Sequence, residues 1–568
     1  MNSAPGDRET DLLVAGAGAG GMTAALVGAL EGLDVLLCEA SQQAGGTTAT
    51  SAGTLWIPGN RQSRDAGFAD DPEDAARYMD ALLGPGGPNR PLREAYLATG
   101  PEAIDYLMAR SAVRFVPCGL HPDYHANRPG AALAGRAIVA ATFDGRRLGA
   151  DFARLRPPIR DFMILGGMMV GKADIPHLVA RFRAPRSFLH AARLMLRHAG
   201  DRLRHARGTR LVMGNALAGR LLFSLRQCQV PLLFGTRILE LIADGGTVRG
   251  AVVEQDGQRF RVLARRGVVL ATGGFGRHAG FREAFMPRPT PAHSFAAPDN
   301  QGDGIALGAR LGARIAPEEH GSGAFWTPAS VTRHADGGTG LFPHLSLDRA
   351  KPGLIAVNAA GRRFVNEGDS YHDVVEAMFR CHATTPCIPA WLICEAGFIR
   401  RYGLGAIHPG TSDLTRFLRN GMLTAAPDLA ALARAIGVDA AGLADSVARH
   451  NGFARTGQDL DFGKGDTALN RFNGDPAVGP NPCLAPIMAP PFCAMAVWPA
   501  EIACGTGLTT DADARVLDAA GRPIPGLFAC GNDMASIMAG SYPGPGTTLG
   551  PAIVFGYRAA KFITGKDS

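Results

Sequence analysis

The chain of 568 residues lacks the run of about 18 apolar residues that a transmembrane helix needs, so we expect no membrane span. Glycine is abundant, with 74 residues, but it follows no G-X-Y period, which excludes a collagen-like fold. The ten cysteines include no CxxC pair, and Cys381, Cys387 and Cys394 are spaced too loosely for a zinc knuckle. We therefore predict reduced cysteines and no metal site.

The first residues, MNSAPGDRETD, lack both an apolar h-region and a twin arginine, so we expect a cytoplasmic protein without an export signal. Hydrophobic residues make up 46% of the chain and charged residues 19%, which excludes a disordered chain and provides material for a large core. At about 150 residues per domain, the length predicts two to four domains.

The excess of positive charge is confined to one part of the chain. The net charge is +7, and residues 176–210, called the basic segment below, carry nine arginines against one acid, Asp201. Because the rest of the chain is close to neutral, we predict no nucleic-acid partner. The apolar side chains that alternate with these arginines are Phe182, Phe188, Leu189, Leu194, Leu196 and Leu203. This composition suits either a solvated helical hairpin or peripheral association with an anionic membrane.

The start of the chain has the pattern of a dinucleotide-binding βαβ unit. An apolar strand at residues 11–15 precedes Gly16-x-Gly18-x-x-Gly21, a helix of small residues follows, and a second strand ends at Glu39. The first glycine permits a tight turn, the second lets the backbone approach a pyrophosphate, and the third lets helix and strand pack closely. We expect Glu39 to hold a ribose hydroxyl.

Later residues favour a bound flavin over a diffusing nicotinamide. The stretch 41–53 consists mostly of small residues, which lets backbone and hydroxyl groups approach a flat ring system, and two more tight turns follow strands near residues 272 and 531. A second good GxGxxG is missing, so we expect no dedicated NAD(P)H site. The candidate cofactor-binding residues of these stretches are Gly46, Thr47, Thr48, Gly53, Thr272, Gly273, Gly274, Gly531 and Asn532.

These blocks resemble the flavoproteins of the succinate dehydrogenase and fumarate reductase superfamily, and within it the 3-ketosteroid dehydrogenases, especially the Δ1 type. The resemblance covers residues 11–60, 267–310 with 353–376, and 501–563. It adds Asp303 and Leu549 to the candidate cofactor-binding residues. It implies FAD as cofactor, bound non-covalently because residues 39–53 contain no histidine for a covalent link.

The fumarate reductase branch is disfavoured because its substrate-binding cations are missing. The position of the reductases' catalytic arginine is occupied by Tyr371, residues 503–507 contain no histidine, and residues 541–547 contain no arginine. A dicarboxylate needs fixed positive donors, so we expect this site to bind one poorly.

The resemblance assigns roles to tyrosines instead. The loop Tyr542-Pro-Gly-Pro-Gly546 resembles the ketosteroid dehydrogenase signature, which implies that the Tyr542 hydroxyl and the Gly546 N–H bind the ketone oxygen. Tyr371 is then the base that takes the C2 proton, while the C1 hydride passes to flavin N5. Because a phenol has a pKa of about 10, the base needs a helper, and Tyr124 is the candidate.

Together these patterns predict an α/β fold, in which a split Rossmann-like FAD-binding domain carries an inserted α+β substrate (cap) domain. The FAD-binding parts span 1–295, with a basic helical insertion at about 150–210, and 481–568; the cap spans 296–480. The predicted activity is Δ1-dehydrogenation of a 3-ketosteroid, with an external acceptor such as a quinone. The alternatives are a Δ4-(5α)-dehydrogenase, a desaturase of a smaller ketone such as an oxocyclohexane carboxylate, an enone reductase, and a flavin-binding or membrane-docking protein without turnover.

Overall fold

The computed structural model describes residues 6–87, 89–316, 323–345 and 348–565, so the outer ends of the two predicted FAD-binding parts, 1–5 and 566–568, lie outside the described residues. The strands are β1 (Arg8–Ala15), β2 (Val35–Glu39), β3 (Thr54–Trp56), β4 (Phe115–Pro117), β5 (Ala137–Ala140), β6 (Phe143–Asp144), β7 (Met163–Ile164), β8 (Met168–Met169), β9 (Arg210–Leu211), β10 (Leu232–Phe234), β11 (Thr236–Asp244), β12 (Thr247–Gln255), β13 (Gln258–Leu270), β14 (His293–Ser294), β15 (Ala324–Arg333), β16 (Thr339–Pro343), β17 (Leu354–Val357), β18 (Ala390–Glu395), β19 (Thr424–Ala426), β20 (Phe492–Cys504), β21 (Arg515–Leu517) and β22 (Pro523–Ala529). The helices are α1 (Ala19–Leu30), α2 (Arg61–Asp65), α3 (Pro72–Leu83), α4 (Arg90–Arg110), α5 (Ile175–Val179), α6 (Pro185–Arg202), α7 (Met213–Gln227), α8 (Ala279–Phe285), α9 (Asp303–Arg310), α10 (Tyr371–His382), α11 (Ala396–Tyr402), α12 (Thr415–Arg419), α13 (Leu429–Ile436), α14 (Ala440–Thr456), α15 (Ala468–Asn473) and α16 (Leu549–Thr564).

The first large sheet has the strand order β10-β2-β1-β13-β12-β11, with β22 on β13 and β21 on β22. The strand β1 runs parallel to both β2 and β13, and β22 joins β13 in parallel. The apolar residues of β1 are completely buried, as expected for a parallel strand covered on both faces. The predicted βαβ start is confirmed as β1, α1 and β2, and the α/β fold class is confirmed with it.

Two helices pack against each other beside this sheet, at the place where the N-terminal and C-terminal parts of the chain meet. A β-carbon on Gly556 of α16 would lie 2.5 Å from the carbonyl oxygen of Gly20 in α1, so glycine is needed for this approach. The predicted hairpin at Asp256-Gly257 is also confirmed. Both residues have positive φ, 51° and 76°, which is the type I′ conformation that joins β12 to β13.

The second large sheet has the order β16-β15-β20-β18-β17, with β14 and β19 also paired to β20. Its central strand β20 lies in the range 481–568 that we predicted for the FAD-binding domain, and β14 lies before residue 296. The predicted boundaries therefore differ from the sheet boundaries at both ends of the cap. The reason is that β20 pairs with β15 and β18, more than 90 residues earlier, and such long-range pairing leaves no local pattern.

The basic segment is helical, as predicted, and contains most of α5 and all of α6. Pro185 is the first residue of α6, where its missing N–H would be unbonded anyway, so it starts this helix rather than interrupting one. Among the described residues no helix is both long enough and apolar enough to cross a membrane. The ten cysteines are all free thiols, as predicted.

Candidate active site

A cavity opens where β1, β2 and β13 end and where α1, α9 and α16 begin. Twelve of the fifteen predicted cofactor-binding residues line it. They are Gly16, Gly18, Glu39, Gly46, Thr47, Thr48, Thr272, Gly273, Asp303, Gly531, Asn532 and Leu549. Residues from seven segments of the chain are thus brought to one cavity, although they are spread over more than 500 positions in the sequence.

The other three predicted residues, Gly21, Gly53 and Gly274, stand behind the cavity wall rather than in it. A β-carbon on Gly21 would lie 2.0 Å from the Gly16 carbonyl oxygen, and one on Gly53 would lie 2.2 Å from a backbone nitrogen of α7. A β-carbon on Gly274 would lie 2.9 Å from Asn532 Cβ and from Cys504 Sγ. These three glycines let neighbouring segments pack closely, as predicted for Gly21, and a direct contact of Gly53 or Gly274 with the cofactor stays a prediction.

The shape and polarity of the cavity fit FAD. A β-carbon on Gly18, Gly46 or Gly531 would meet no atom closer than 3.9 Å, so any larger side chain at these positions would project into the cavity. The first turns of α1 and α16 contain no acidic residue that would repel an anionic group such as a pyrophosphate.

Glu39 ends β2 at the cavity and is held by its own backbone neighbours. Its two carboxylate oxygens accept hydrogen bonds from the N–H groups of Ala17 (2.7 Å) and Ser41 (2.9 Å). Burial raises the pKa of this carboxyl group. These bonds fix the carboxylate beside the glycine turn, which is the position expected for a residue that binds a ribose.

Sequence reasoning missed several residues of the cavity wall. The Nδ2 group of Asn300 donates to Thr47 Oγ1 (3.1 Å) and to the Gly273 carbonyl (2.9 Å). Arg156 lines the cavity and has a buried Nε without a hydrogen-bond partner among the described residues. Neither residue belongs to a local motif, because each reaches the cavity from a loop that folds back onto it.

Asp533 was also missed, and it joins two of the predicted turns. Its carboxylate accepts from the N–H and the hydroxyl of Thr272 and from the Gly274 N–H (2.9 Å). Burial raises the pKa of Asp533 to about 6. The glycine turn after β13 and the turn after β22 are thus tied together where they face the cavity.

The tyrosines at 124, 371 and 542 form a compact cluster. The ring centroids lie 5.5 Å apart for Tyr124 and Tyr371, 5.2 Å for Tyr371 and Tyr542, and 5.8 Å for Tyr124 and Tyr542. The Tyr124 hydroxyl donates to the Tyr371 hydroxyl at 3.4 Å, and the Tyr542 ring packs against the Tyr371 ring. The three side chains therefore form one group in which each ring contacts the other two.

The cluster borders the cavity. Thr548 lines the cavity and is hydrogen-bonded to the Tyr542 side chain. Ala503 also lines it and pairs with Phe325, whose ring lies 5.3 Å from the Tyr542 ring. A substrate that contacts both the tyrosines and a flavin in the cavity would therefore bind at this junction.

Backbone contacts position Tyr124 and Tyr542 relative to each other. The Tyr124 N–H donates to the carbonyl oxygen of Pro543 (2.8 Å), which also accepts from the Tyr78 hydroxyl (2.7 Å). The carboxylate of the preceding residue, Asp123, accepts from the Trp56 indole (2.7 Å) and from Arg136 (2.6 Å). This buried network holds the 542–546 loop against Tyr124.

Tyr371 is the first residue of α10, which begins after the N-cap Ser370. The next residue, His372, is hydrogen-bonded through Nε2 to the Gly540 carbonyl (2.9 Å), and its Nδ1 accepts from the Trp326 N–H (3.3 Å). These bonds join the start of α10 to the loop before Tyr542. His372 thereby fixes the distance between the two tyrosines.

Gly546 has φ of +96°, and a β-carbon there would lie 2.2 Å from the Thr54 carbonyl oxygen, so only glycine fits. Among the residues that the structure describes, no acceptor is bonded to the Gly546 N–H. The N–H can therefore donate to a ligand.

Burial raises the pKa of all three cluster tyrosines above the usual phenol range. For Tyr542 this keeps the hydroxyl protonated, as a hydrogen-bond donor must be. For Tyr371 the neighbouring Tyr124 raises the pKa further, whereas Tyr542 and the positive charge of Arg349 lower it. The cluster thus contains groups that oppose and groups that favour ionisation of Tyr371.

Comparison with known proteins agrees with this geometry. Residues 11–549 match the family described as FAD binding domain. The chain is 37% identical to 4-oxocyclohex-2-ene-1-carboxylate 5-dehydrogenase of Sinomonas cyclohexanicum over 97% of this chain and 93% of that protein. It is 35% identical to 3-oxosteroid 1-dehydrogenase of Mycobacterium tuberculosis over 98% of each chain.

A solved structure is similar along its whole length. It is the crystal structure of 3-ketosteroid Δ1-dehydrogenase from Sterolibacterium denitrificans in complex with 1,4-androstadiene-3,17-dione, with a TM-score of 0.91 and 38% identity. The match covers 99% of this chain and 100% of that one. The predicted cofactor is confirmed as FAD. The chain belongs to the FAD binding domain family and, within it, to the group that contains the 3-oxosteroid dehydrogenases, which are FAD-dependent oxidoreductases acting on CH–CH bonds.

Proposed function

We propose that this enzyme introduces a C1–C2 double bond into a 3-ketosteroid. The observation that carries the proposal is the cluster of three tyrosine side chains at the edge of the FAD cavity, together with the Gly546 N–H, which has no acceptor among the described residues. Tyr542 and Gly546 provide two donors for a ketone oxygen, and Tyr371 provides an acceptor for a proton. This is the set of groups that removal of a hydrogen next to a ketone requires.

In the proposed reaction the Tyr542 hydroxyl and the Gly546 N–H donate to the C3 ketone oxygen and stabilise the negative charge that develops there. Tyr371 accepts the proton from C2. The C2–H electron pair becomes the C1–C2 double bond as the C1 hydrogen leaves with its own electron pair. Bound FAD supplies the acceptor for that hydride. Two hydrogens and two electrons leave the substrate, and the electrons pass on to an external acceptor, a quinone or another carrier.

The residues around the cavity also bear on how FAD is held. We propose that binding is non-covalent: no histidine occurs among the described residues that line the cavity, and the single cysteine there, Cys38, is buried at the end of β2. Glu39, Thr47 and Thr48 would contact the cofactor through oxygen atoms, and the backbone at Gly18 would face its pyrophosphate.

Two related activities are the alternatives. One is Δ4-(5α)-dehydrogenation of a steroid, and the other is desaturation of an oxocyclohexane carboxylate, as the name of the Sinomonas relative indicates for that protein. A carboxylate substrate needs a cation with free donors. The buried Arg349 near the cluster donates to four main-chain carbonyl groups instead, which favours a neutral ketone.

The test is anaerobic reduction of the flavin by candidate ketones. The holoenzyme is mixed with 4-androstene-3,17-dione, a 5α-androstanedione, cholestenone, 4-oxocyclohexanecarboxylate or 4-oxocyclohex-2-ene-1-carboxylate, and bleaching of the flavin is followed. We expect bleaching by 4-androstene-3,17-dione, with a new C1–C2 double bond located by mass spectrometry and NMR.

Other outcomes would contradict the proposal in distinguishable ways. Bleaching by the cyclohexane carboxylates alone would show that the substrate is a small ketone. A new double bond at C4–C5 would establish Δ4 chemistry. The absence of bleaching by every ketone, with reduction of enones by a reduced viologen, would identify an enone reductase; no reaction in either direction would leave flavin binding without turnover.

We also propose that the basic segment places the enzyme on an anionic bilayer, where steroids and quinones dissolve. Five of the six apolar side chains predicted for this face are strongly exposed: Phe182 (81%), Phe188 (57%), Leu189 (56%), Leu196 (73%) and Leu203 (86%). Exposed arginines stand between them, as a helix on an anionic surface requires. Leu194, which we had included in the candidate membrane face, is instead buried on the inner face of α6.

Ring contacts connect the base of this segment to the tyrosine cluster. The Lys172 ammonium lies 4.3 Å from the centre of the Phe472 ring, which lies 4.9 Å from the His121 ring. The His121 ring is 6.2 Å from Tyr124. A substrate that leaves the bilayer beside the basic segment would therefore enter close to the proposed active site.

A further inference from the structure

Arg349 is a buried arginine whose hydrogen bonds all go to main-chain carbonyl groups. Its Nε donates to His344 (2.7 Å) and its Nη2 to Leu345 (2.6 Å). Its Nη1 donates to the carbonyl groups of Glu367 (2.7 Å) and Asp369 (3.2 Å). The guanidinium therefore clamps the segment 367–369, which leads directly into Tyr371.

The charge of Arg349 is not neutralised by a bonded carboxylate among the residues that the structure describes. Asp348 is bonded to His344 (2.6 Å) and to the Gly405 N–H (3.0 Å). Glu367 is bonded through its carboxylate to Arg363 (2.9 Å). Asp369 accepts from the Asn470 amide (3.3 Å), and burial raises the pKa of its carboxyl group to about 7. A buried cation without a bonded anion exerts a strong field on nearby groups.

The tyrosine cluster lies within reach of this field. Arg349 lowers the pKa of both Tyr371 and Tyr124, whereas burial and the mutual interactions of the tyrosines raise it. Cys118 also faces Tyr124 and raises the pKa of this tyrosine. Arg349 thus opposes the effect that would prevent Tyr371 from acting as a base.

We propose that Arg349 is a positioning residue of the desaturation reaction, which holds the segment before Tyr371 and supplies positive charge to the tyrosine cluster. The inference rests on the proposed function, because it matters only if Tyr371 accepts the substrate proton. Arg349 itself does not contact the reacting atoms; it acts through Tyr371.

The test compares the pH dependence of kcat in Arg349→Gln and Arg349→Lys holoenzymes. In the plot of kcat against pH, the acidic limb is the range in which kcat falls because Tyr371 keeps its proton. Removing the positive charge of Arg349 moves the apparent pKa of this limb up by about one pH unit. The Gln variant is therefore about tenfold slower below this limb and recovers its rate at higher pH. The Lys variant keeps the charge, so its limb stays in place even if its kcat falls. If kcat of Arg349→Gln falls by the same factor at every pH, Arg349 has only a structural role.

Two further variants complete the test. Arg220 is also buried and donates to three main-chain carbonyl groups, those of Ala112, Ala141 and Thr142. Because its charge does not act on the cluster tyrosines, Arg220→Gln is a matched control, and its acidic limb should not move.

Asp369→Asn removes a negative charge beside Arg349 and is expected to move the acidic limb to lower pH. If Arg349→Gln does not fold, an unmoved limb in Asp369→Asn overturns the proposal.

A readout without turnover separates this inference from the proposed function. The ultraviolet absorbance of tyrosinate is titrated in the wild type, in Tyr371→Phe and in the Arg349 variants. We expect a tyrosine that titrates at higher pH in Arg349→Gln than in the wild type and that is missing in Tyr371→Phe. If the wild type oxidises no ketone but this shift is seen, the proposed function fails while the electrostatic role of Arg349 stands. If ketones are oxidised and no shift is seen, the inference fails alone.

Discussion

Tyr371 and Tyr542 have the same side chain but need opposite protonation states in the proposed reaction. Tyr542 must keep its proton to donate to the ketone oxygen, and its burial ensures this. Tyr371 must give up its proton or pass it along its hydrogen bond with Tyr124. Their different neighbours therefore matter more than their residue type, since Arg349 acts on Tyr371 and the Thr548 hydroxyl is bonded to Tyr542.

We expect Tyr371→Phe to lower kcat by roughly 10² to 10⁴, because a positioned acid–base group contributes about this factor. FAD content and steroid affinity should stay close to the wild type, since the ring and its packing remain. Rapid-mixing reduction of the flavin measures the first quantity and difference spectroscopy the second. Tyr542→Phe is the comparison: it should weaken ketone binding as well as rate. Normal desaturation by Tyr371→Phe would show that another group is the base.

Gly18 is a position where one added methyl group should weaken FAD binding. Its φ is −79°, so alanine is not strained there, but the added methyl group would project into the FAD cavity. We expect Gly18→Ala to fold and to bind FAD about tenfold more weakly, which corresponds to about 1.4 kcal/mol. Flavin fluorescence titration of the apoprotein measures this. Gly200→Ala, on the exposed part of α6, is the matched control and should not change FAD binding.

At the scale of elements, the segment between β17 and α10 is held from two sides. Arg349 binds its backbone, and a buried ion network binds its side chains. In this network Arg363 contacts both Glu367 (2.9 Å) and Asp459 (2.8 Å), and Lys464 lies 3.4 Å from Glu367. Because α10 begins directly after this segment, the network also determines where Tyr371 stands.

The network predicts a loss of stability in acid. Burial by itself would raise the pKa of Glu367, but the charges of Arg363 and Lys464 outweigh it and lower the pKa to about 2. A carboxyl group with a lowered pKa stabilises the folded state above its unfolded pKa, about 4.3, and this contribution disappears as the pH falls towards 2. Glu367→Gln should cost about 3–5 kcal/mol at neutral pH, and the difference from the wild type should shrink below pH of about 4.

Denaturant unfolding as a function of pH measures this effect. Asp336→Asn breaks the Arg160–Asp336 pair, whose side chains are both 57% exposed, and serves as the control, with little expected effect on the free energy of unfolding. An equal pH dependence in the wild type and in Glu367→Gln would mean that other carboxylates control acid unfolding.

At the scale of the whole molecule, side-chain contacts connect the cavity with the tyrosine cluster and lead from the cluster towards the basic segment. The tyrosine cluster borders the FAD cavity at Thr548, and the contacts through His121 and Phe472 lead outwards to Lys172. In the proposed function, this order would place the entry of an apolar substrate near the basic segment.

We expect the holoenzyme to sediment with vesicles that contain phosphatidylglycerol and to be released by salt, because arginines near an anionic surface contribute about 1 kcal/mol each. Leu196→Ser combined with Leu203→Ser should weaken vesicle binding at least about tenfold, since each leucine loses apolar contact. Leu460→Ser changes a leucine that is equally exposed, at 78%, outside the basic segment, and should have no effect. Equal binding by all three proteins, or none by the wild type, would show that the segment is a solvated hairpin.

The sequence by itself determined the first βαβ unit, the hairpin at Asp256-Gly257, the helices of the basic segment and the glycine turns of the cavity wall. These features depend on interactions within about 30 residues, such as a glycine that permits a tight turn or an apolar strand followed by a helix. The loop 542–546 could be recognised for the same reason, because its residues lie next to one another in the chain.

Only the tertiary structure decided which distant residues meet. The position of β20 in the second sheet, the closing of the cavity by Arg156 and Asn300, the joining of two turns by Asp533, and the clamp of Arg349 on the segment before Tyr371 all connect residues far apart in sequence. A single buried arginine or aspartate has no periodicity and no fixed spacing from its partners. Its role depends on burial and on the groups around it, and folding brings these together.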